Sequence, residues 1–135
     1  FIGLAEEALA ADNTLADNSA ALAAKDFVGF HVATATPTRV DAVHKTAGGS
    51  AVTVQQGALT LAASTWNKLG FWFDGKHVRF FVNGEQVGNP VRPSAANFPN
   101  GDVLAPLFYV KTGETAAKSL DIDWFECFTA YDQAS

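Results

Sequence analysis

The sequence predicts an all-β protein: one domain of antiparallel strands arranged as a sandwich or a barrel. Three observations carry that expectation. From Phe27 onward apolar residues recur with a period of two, and no stretch sustains helical periodicity. Glycine-containing pairs, Gly48-Gly49, Asp74-Gly75 and Asn83-Gly84, interrupt those runs at short intervals. Eleven Phe and three Trp in 135 residues supply apolar bulk for a single core without a disulfide or metal staple.

Taken in order, Phe1-Ile2-Gly3-Leu4-Ala5 lacks the basic start and cleavage site of a signal peptide and reads as the interior of a strand. The expectation is a single domain over 1–135 that lacks its first strands. Residues 6–26 are rich in Ala, Asp and Asn, with turn chemistry at Asp12-Asn13 and Asp17-Asn18, and form a surface excursion. Within it, 19–24 is either a short helix capped by Asn18 or Ser19, or irregular chain.

Phe27-Val28-Gly29-Phe30-His31-Val32 then alternates, with Val28, Phe30 and Val32 on one side. Residues 39–45 follow Pro37 as the next strand, and 51–55, 59–62 and 66–73 are three more. Asp74-Gly75 is a two-residue hairpin signal. Pairing Phe73 with Lys76 sets Phe71 opposite Val78 and Leu69 opposite Phe80, an apolar core face. Trp72 then meets His77, Gly70 meets Arg79 and Lys68 meets Phe81 on the other side. Asn83-Gly84 turns the chain again before Gln86-Val87. After Pro90 and Pro93 comes a loop over 94–102, then a strand holding Leu104, Phe108 and Val110. A small-residue loop spans 112–118, and Leu120, Ile122 and Trp124 point inward from a last alternating strand. No internal repeat is visible.

Charge narrows the partners. Nine Lys and Arg against fourteen Asp and Glu leave a formal charge of −5. That argues against a nucleic-acid binder, which needs a basic surface to displace phosphate counterions, and against a polybasic membrane module. No apolar run approaches the roughly 20 residues of a membrane-spanning helix. The one cysteine, Cys127, excludes an internal disulfide and any Cys-cluster zinc site, and its aromatic surroundings predict a packed thiol.

The stretch from Thr65-Trp66 through Asp74-Gly75 to Asn83-Gly84 resembles the hairpin of concanavalin A-like, laminin-G-like jelly rolls, over roughly residues 27–128. The resemblance implies an all-β antiparallel sandwich of jelly-roll type, with 120–125 as the closing strand. A narrower resemblance lies in Phe27-Val28-Gly29-Phe30-His31-Val32, Lys45-Thr46-Ala47-Gly48-Gly49, 106–113 and Asp121-Ile122-Asp123-Trp124. These segments are similar to those of tailed-bacteriophage proteins of this fold, and the similarity implies a structural or decorative component of the virion.

Few constellations offer chemistry. Asp121-x-Asp123-x-x-Glu126 is similar to the Glu-x-Asp-x-x-Glu motif of retaining endoglucanases on the same jelly roll. Retaining chemistry sets two carboxyls about 5–5.5 Å apart. Residues 121 and 126 have opposite parity, so a strand would need a bulge to bring them together. Solvent-facing carboxylates are the expectation, and no catalytic residue is assigned. His31, His44 and His77, even with Asp41, lack a spacing that converges on a metal, so separately satisfied histidines are expected. Asn100 and Asp102 have the oxygens for calcium, but no ligand series surrounds them and turn chemistry explains them. No metal or cofactor is expected. Ser50, Ser64 and Ser119 sit in no nucleophile elbow.

The outer face is more informative. In this register Trp72 and Phe81 point away from the core, and parity turns Tyr109, Phe125 and Cys127 outward. Exposed aromatics mark a protein interface or a sugar platform, unless another part of the chain covers them. The expectation is a non-enzymatic phage virion protein on the capsid surface, acting as a decoration or cement component. It would bind the major capsid protein or other virion proteins and form a homo-oligomer, with Trp72, Phe81, Tyr109 and Phe125 as anchors. The alternative is a lectin-like module that binds glycans on the particle surface. Nucleic acid and membrane are not expected partners.

Overall fold

A computed structural model describes residues 1–6, 14–16, 19–101, 103–112, 117 and 119–128. Among them eight strands form: β1 (Ile2–Glu6), β2 (Phe27–His31), β3 (Arg39–Lys45), β4 (Val52–Thr60), β5 (Leu69–Phe73), β6 (Val78–Val82), β7 (Glu85–Val91) and β8 (Leu104–Phe108). They build two antiparallel sheets, one in the order β4-β3-β2-β1-β8 and one in the order β5-β6-β7. β7 packs over β4 and β5 over β2. The all-β sandwich expected from the period-two pattern is the fold.

Between the sheets lies a core of Val28, Phe30, Val40, Ala42, Val78, Phe80, Val82 and Phe98. Phe30 meets Phe80 edge-on at 5.7 Å, and Phe71 tilts against Phe80 at 6.1 Å. Removal of this aromatic and β-branched surface from water is the main stabilising term.

The first residues are strand, as their composition indicates, and β1 lies between β2 and β8. Gly3 faces Gly29 across the β1–β2 ladder. A Cβ at Gly29 would sit 2.7 Å from the Gly3 Cα and against the Ile2 carbonyl, so this close approach requires glycine on both strands.

The expected alternation in β2 is incomplete, because both of its faces are covered. On the outer side Phe1, Ala5, Phe27 and Val43 form a second cluster, closed by Leu22, Ala23 and Leu107. The 19–24 segment is not helical. Leu15 pairs with Leu22 as an isolated bridge, and Ala16 N–H donates to the Ala21 carbonyl at 2.8 Å. Three side chains pin this strap to the sheet. Lys111 Nζ donates to the Leu15 carbonyl at 3.0 Å, His31 Nε2 to Ala20 at 2.6 Å and Lys45 Nζ to Ala23 at 2.6 Å. Carbonyl oxygens only accept, so His31 carries its proton on Nε2. Residues 7–13, 17 and 18 of the excursion lie outside the described residues.

Two of the anticipated strands, 51–55 and 59–62, are one. β4 runs through Gly57, whose φ of 62° accompanies a shift of register against β3. Asp41 fixes this irregularity. Its carboxylate accepts Arg39 Nε and Nη2, both at 2.9 Å, and the Gly57 N–H at 2.7 Å. Burial alone would push the Asp41 carboxyl up, but these bonds outweigh it and hold the group below its usual range. A depressed folded-state pKa adds stability above the unfolded value of about 3.9, and that stability is lost as pH falls through the lower folded value. Asp41→Asn is therefore expected to cost about 1–2 kcal/mol at pH 7 in urea denaturation. The gap from the parent should close toward pH 3, and a pH-independent gap would refute the carboxylate's role.

The β5–β6 hairpin keeps its anticipated parity but not its register. Phe73 pairs with Val78, Phe71 with Phe80 and Leu69 with Val82, a shift of two residues. A two-residue type I′ turn needs positive φ at both central positions. At Asp74-Gly75-Lys76 only Gly75 has it, at 84°. The Asp74 carboxylate instead accepts the N–H of Lys76 at 2.9 Å and of His77 at 2.6 Å, and a longer loop closes by Asp74 N–H to the His77 carbonyl at 3.1 Å. Trp72 consequently faces Arg79 rather than His77, and Gly70 faces Phe81.

The closing strand expected at 120–125 is absent. The described residues 119–128 are exposed and form no ladder, so Leu120, Ile122 and Trp124 do not point into the core. Trp124 lies under Lys68 Nζ at 5.1 Å, and Phe125 meets Phe108 edge-on at 5.3 Å. Cys127 is exposed rather than packed. Of the 112–118 loop, residues 113–116 and 118 lie outside the described residues, as does Asp102.

Candidate recognition face

The outer face of the three-stranded sheet follows from the register. Gly70 and Trp72 of β5, Arg79 and Phe81 of β6, and Gln86 of β7 all point away from the core. Trp72 is 53% exposed and Phe81 is half-buried. They are diagonal neighbours across the ladder, a spacing that aromatic side chains can bridge. Gly70 stands directly opposite Phe81, and the space where its side chain would be is empty. The result is an indentation with aromatic walls and a floor of bare backbone.

A polar line crosses the same face. The Asp74 carboxylate accepts Arg79 Nε at 3.4 Å, and Arg79 Nη1 donates to Gln86 Oε1 at 3.2 Å. The N–H groups of His77 and Lys76, with help from Arg79, hold the Asp74 carboxyl below its usual range, so it stays ionised at neutral pH. At the far end, Asn83 closes the β6–β7 turn. Asn83 and Gly84 have φ of 52° and 90°, the two-residue geometry that an Asn-Gly pair favours. Asn83 Oδ1 also accepts the Lys68 N–H at 2.8 Å, which anchors the start of β5. These bonds fix Trp72, Arg79 and Phe81 on rigid strands rather than on loops.

The other two aromatic candidates lie elsewhere. Tyr109 follows β8 on the five-stranded sheet, where its N–H donates to the Phe1 carbonyl at 2.9 Å. Parity places it beside Leu107, on the side covered by the strap. Phe125 belongs to the exposed C-terminal segment. Trp72 and Phe81 are therefore brought together, and Tyr109 and Phe125 are not part of that patch.

The polar candidates disperse as well. Asp121, Asp123 and Glu126 are exposed on a segment without a strand, so the bulged geometry that would align two carboxyls for retaining hydrolysis is not formed. Asp41 belongs to the Arg39 pair, His31 to the strap, and His77 lies 3.8 Å from Asp74. Among the described residues no three His, Cys, Asp or Glu side chains gather as a metal site. His44 is the residue that pattern reading undervalued. It continues the inward set Val40, Ala42, His44 on β3, is 2% exposed, and lies tilted against Phe98 at 5.2 Å. A polar residue at an inward-facing position was the available signal.

The two antiparallel sheets, packed face to face, define a β-sandwich domain of the jelly-roll class. Residues 8–116 match the family model for the concanavalin A-like lectin/glucanases superfamily, and the chain belongs to that family. No curated protein and no solved structure matches it.

Proposed function

We propose that this chain is a non-enzymatic recognition domain that docks on another protein through the Trp72 face. The observation that carries the reading is the pairing of exposed Trp72 with Phe81 around the empty Gly70 position, on the outer face of the three-stranded sheet. Rigid aromatic anchors beside an indentation are the usual energetic centre of a protein interface. The setting proposed is the capsid surface of a tailed phage, with the major capsid protein or another virion protein as partner. Its support is the resemblance of segments 27–32, 45–49, 106–113 and 121–124 to virion proteins of this fold. Many attached copies would multiply a modest affinity per copy.

The test begins with mass spectrometry of purified particles, with the 69–76 peptide quantified against the major shell protein. Many copies per particle are expected, and absence from the particle would remove the virion setting. On the shell, Trp72→Ala should weaken attachment about 30-fold or more, as loss of a central anchor does. Gly70→Thr, whose Cβ would meet nothing within 4 Å, should weaken attachment while the melting temperature is preserved. Full attachment by both variants would move the interface elsewhere. A second reading is favoured by the Asp74–Arg79–Gln86 line beside Trp72, which provides polar groups for sugar hydroxyls next to a stacking ring. A glycan array separates the two: sugar binding lost in Trp72→Ala supports the lectin-like alternative.

A further inference from the structure

The chain holds two Asn-Gly pairs, Asn83-Gly84 and Asn100-Gly101. In such a pair the glycine nitrogen can attack the side-chain amide before it, because glycine has no Cβ to obstruct the approach. The reaction needs an unrestrained carboxamide, an unbonded N–H on the glycine, and backbone free to turn one toward the other. The fold treats the two pairs oppositely.

Asn83 is clamped. Its Oδ1 accepts the Lys68 N–H at 2.8 Å, its Nδ2 donates to Asn67 Oδ1 at 3.2 Å, and its own N–H donates to the Lys68 carbonyl at 2.8 Å. Val82 pairs with Glu85 across the turn, which holds Asn83 and Gly84 at φ of 52° and 90°. Swinging the carboxamide toward the Gly84 nitrogen would break these bonds. Reaction there waits for local opening of the β6–β7 hairpin.

Asn100 has none of these restraints. Asn100 and Gly101 are exposed and lie outside any strand. Neither the Asn100 carboxamide nor the Gly101 N–H is hydrogen-bonded to a described residue. A Cβ at Gly101 would meet nothing within 4 Å, so the space around the glycine is open. Just before the pair the chain is fixed, because Phe98 belongs to the core and its N–H donates to the Ala95 carbonyl at 3.1 Å.

We propose that Asn100 is a site of self-catalysed deamidation in the folded protein, and that Asn83 is shielded from the same reaction. The Gly101 N–H gives its proton to solvent base, and the nitrogen attacks Asn100 Cγ. A new N–C bond forms and the Cγ–Nδ2 bond breaks, with the side-chain nitrogen taking up a proton and leaving as ammonia. Water, the one co-reactant, then opens the cyclic imide at either carbonyl to give aspartate or isoaspartate. Either product carries a carboxyl that is ionised at neutral pH, so each event adds one negative charge to the formal −5. Isoaspartate also routes the main chain through an extra methylene between the Phe98 anchor and β8.

The test incubates the folded full chain at neutral and mildly alkaline pH, beside a sample held in guanidinium chloride. Conversion at each asparagine is read by mass spectrometry of fragmented peptides. In the folded chain Asn100 should convert at least about tenfold faster than Asn83, which must first give up its hydrogen bonds. In denaturant the two rates should converge, because both sites then have the same local chemistry. Gly101→Ala places its methyl in open space and should slow conversion at Asn100 severalfold, with Asn83 unchanged. Equal rates at the two asparagines in the folded chain, or conversion of Asn100 in denaturant alone, would overturn the assignment.

Discussion

Phe80→Ala is expected to destabilise the protein by about 3–5 kcal/mol, the range for removing a large aromatic from a closed core. Phe80 is fully buried at the centre of the three-stranded sheet and meets rings from both sheets, Phe30 at 5.7 Å and Phe71 at 6.1 Å. Neither neighbour can fill the void without leaving its own ladder, because Phe30 is paired with Ile2 and Ala42, and Phe71 with Phe80 itself. For a chain of this size the loss corresponds to a melting temperature lower by roughly 10–25 °C. Calorimetry of Phe80→Ala beside Trp72→Ala gives the check. The second variant removes a half-exposed ring and should shift melting far less; equal shifts would mean that the two sheets do not meet as described.

Gly29→Ala should be comparably severe for a different reason. The added methyl has no side chain to push aside, since it meets the Gly3 Cα at 2.7 Å and the carbonyl of Ile2. Relief requires β1 to move away from β2, which also strains the β1–β8 pairing. A cost of at least about 3 kcal/mol is expected, the upper end of overpacking penalties. Amides of β1 should lose protection from hydrogen exchange before those of β6. The same substitution at Gly70, where nothing lies within 4 Å of the new methyl, should be neutral or stabilising by up to about 1 kcal/mol. Equal effects at the two positions would contradict the close approach of β1 and β2.

The contrast between two turn pairs explains what could be read from the sequence. Asn83-Gly84 takes the two-residue turn its composition favours, because both residues accept positive φ. At Asp74-Gly75 the Asp side chain captured two downstream amides and lengthened the loop, which displaced the register by two. A two-residue displacement preserves parity, so the inward set of Phe71 and Phe80 and the outward set of Trp72 and Phe81 were legible even though their partners were not. The merging of two strands into β4 depended on Asp41, which lies far from Gly57 in sequence and satisfies its amide only in the folded chain. The coverage of both faces of β2 depended in the same way on distant contacts, with Lys45 and Lys111 reaching backbone carbonyls of the strap. His44 was visible as a histidine on an apolar face, but the contacts that hold it, the Asn97 carbonyl and the Phe98 ring, come from the distant segment after β7.

The strap over the five-stranded sheet has a consequence for assembly. A sandwich with two bare outer faces can stack on copies of itself without end, each new copy exposing the surface that recruits the next. Here one side is closed by chain that the sheet itself grips at Leu15, Ala20 and Ala23. If the Trp72 face is the docking surface proposed above, association would use up the face that made it, and a pair of copies, or one copy on a foreign surface, would be terminal.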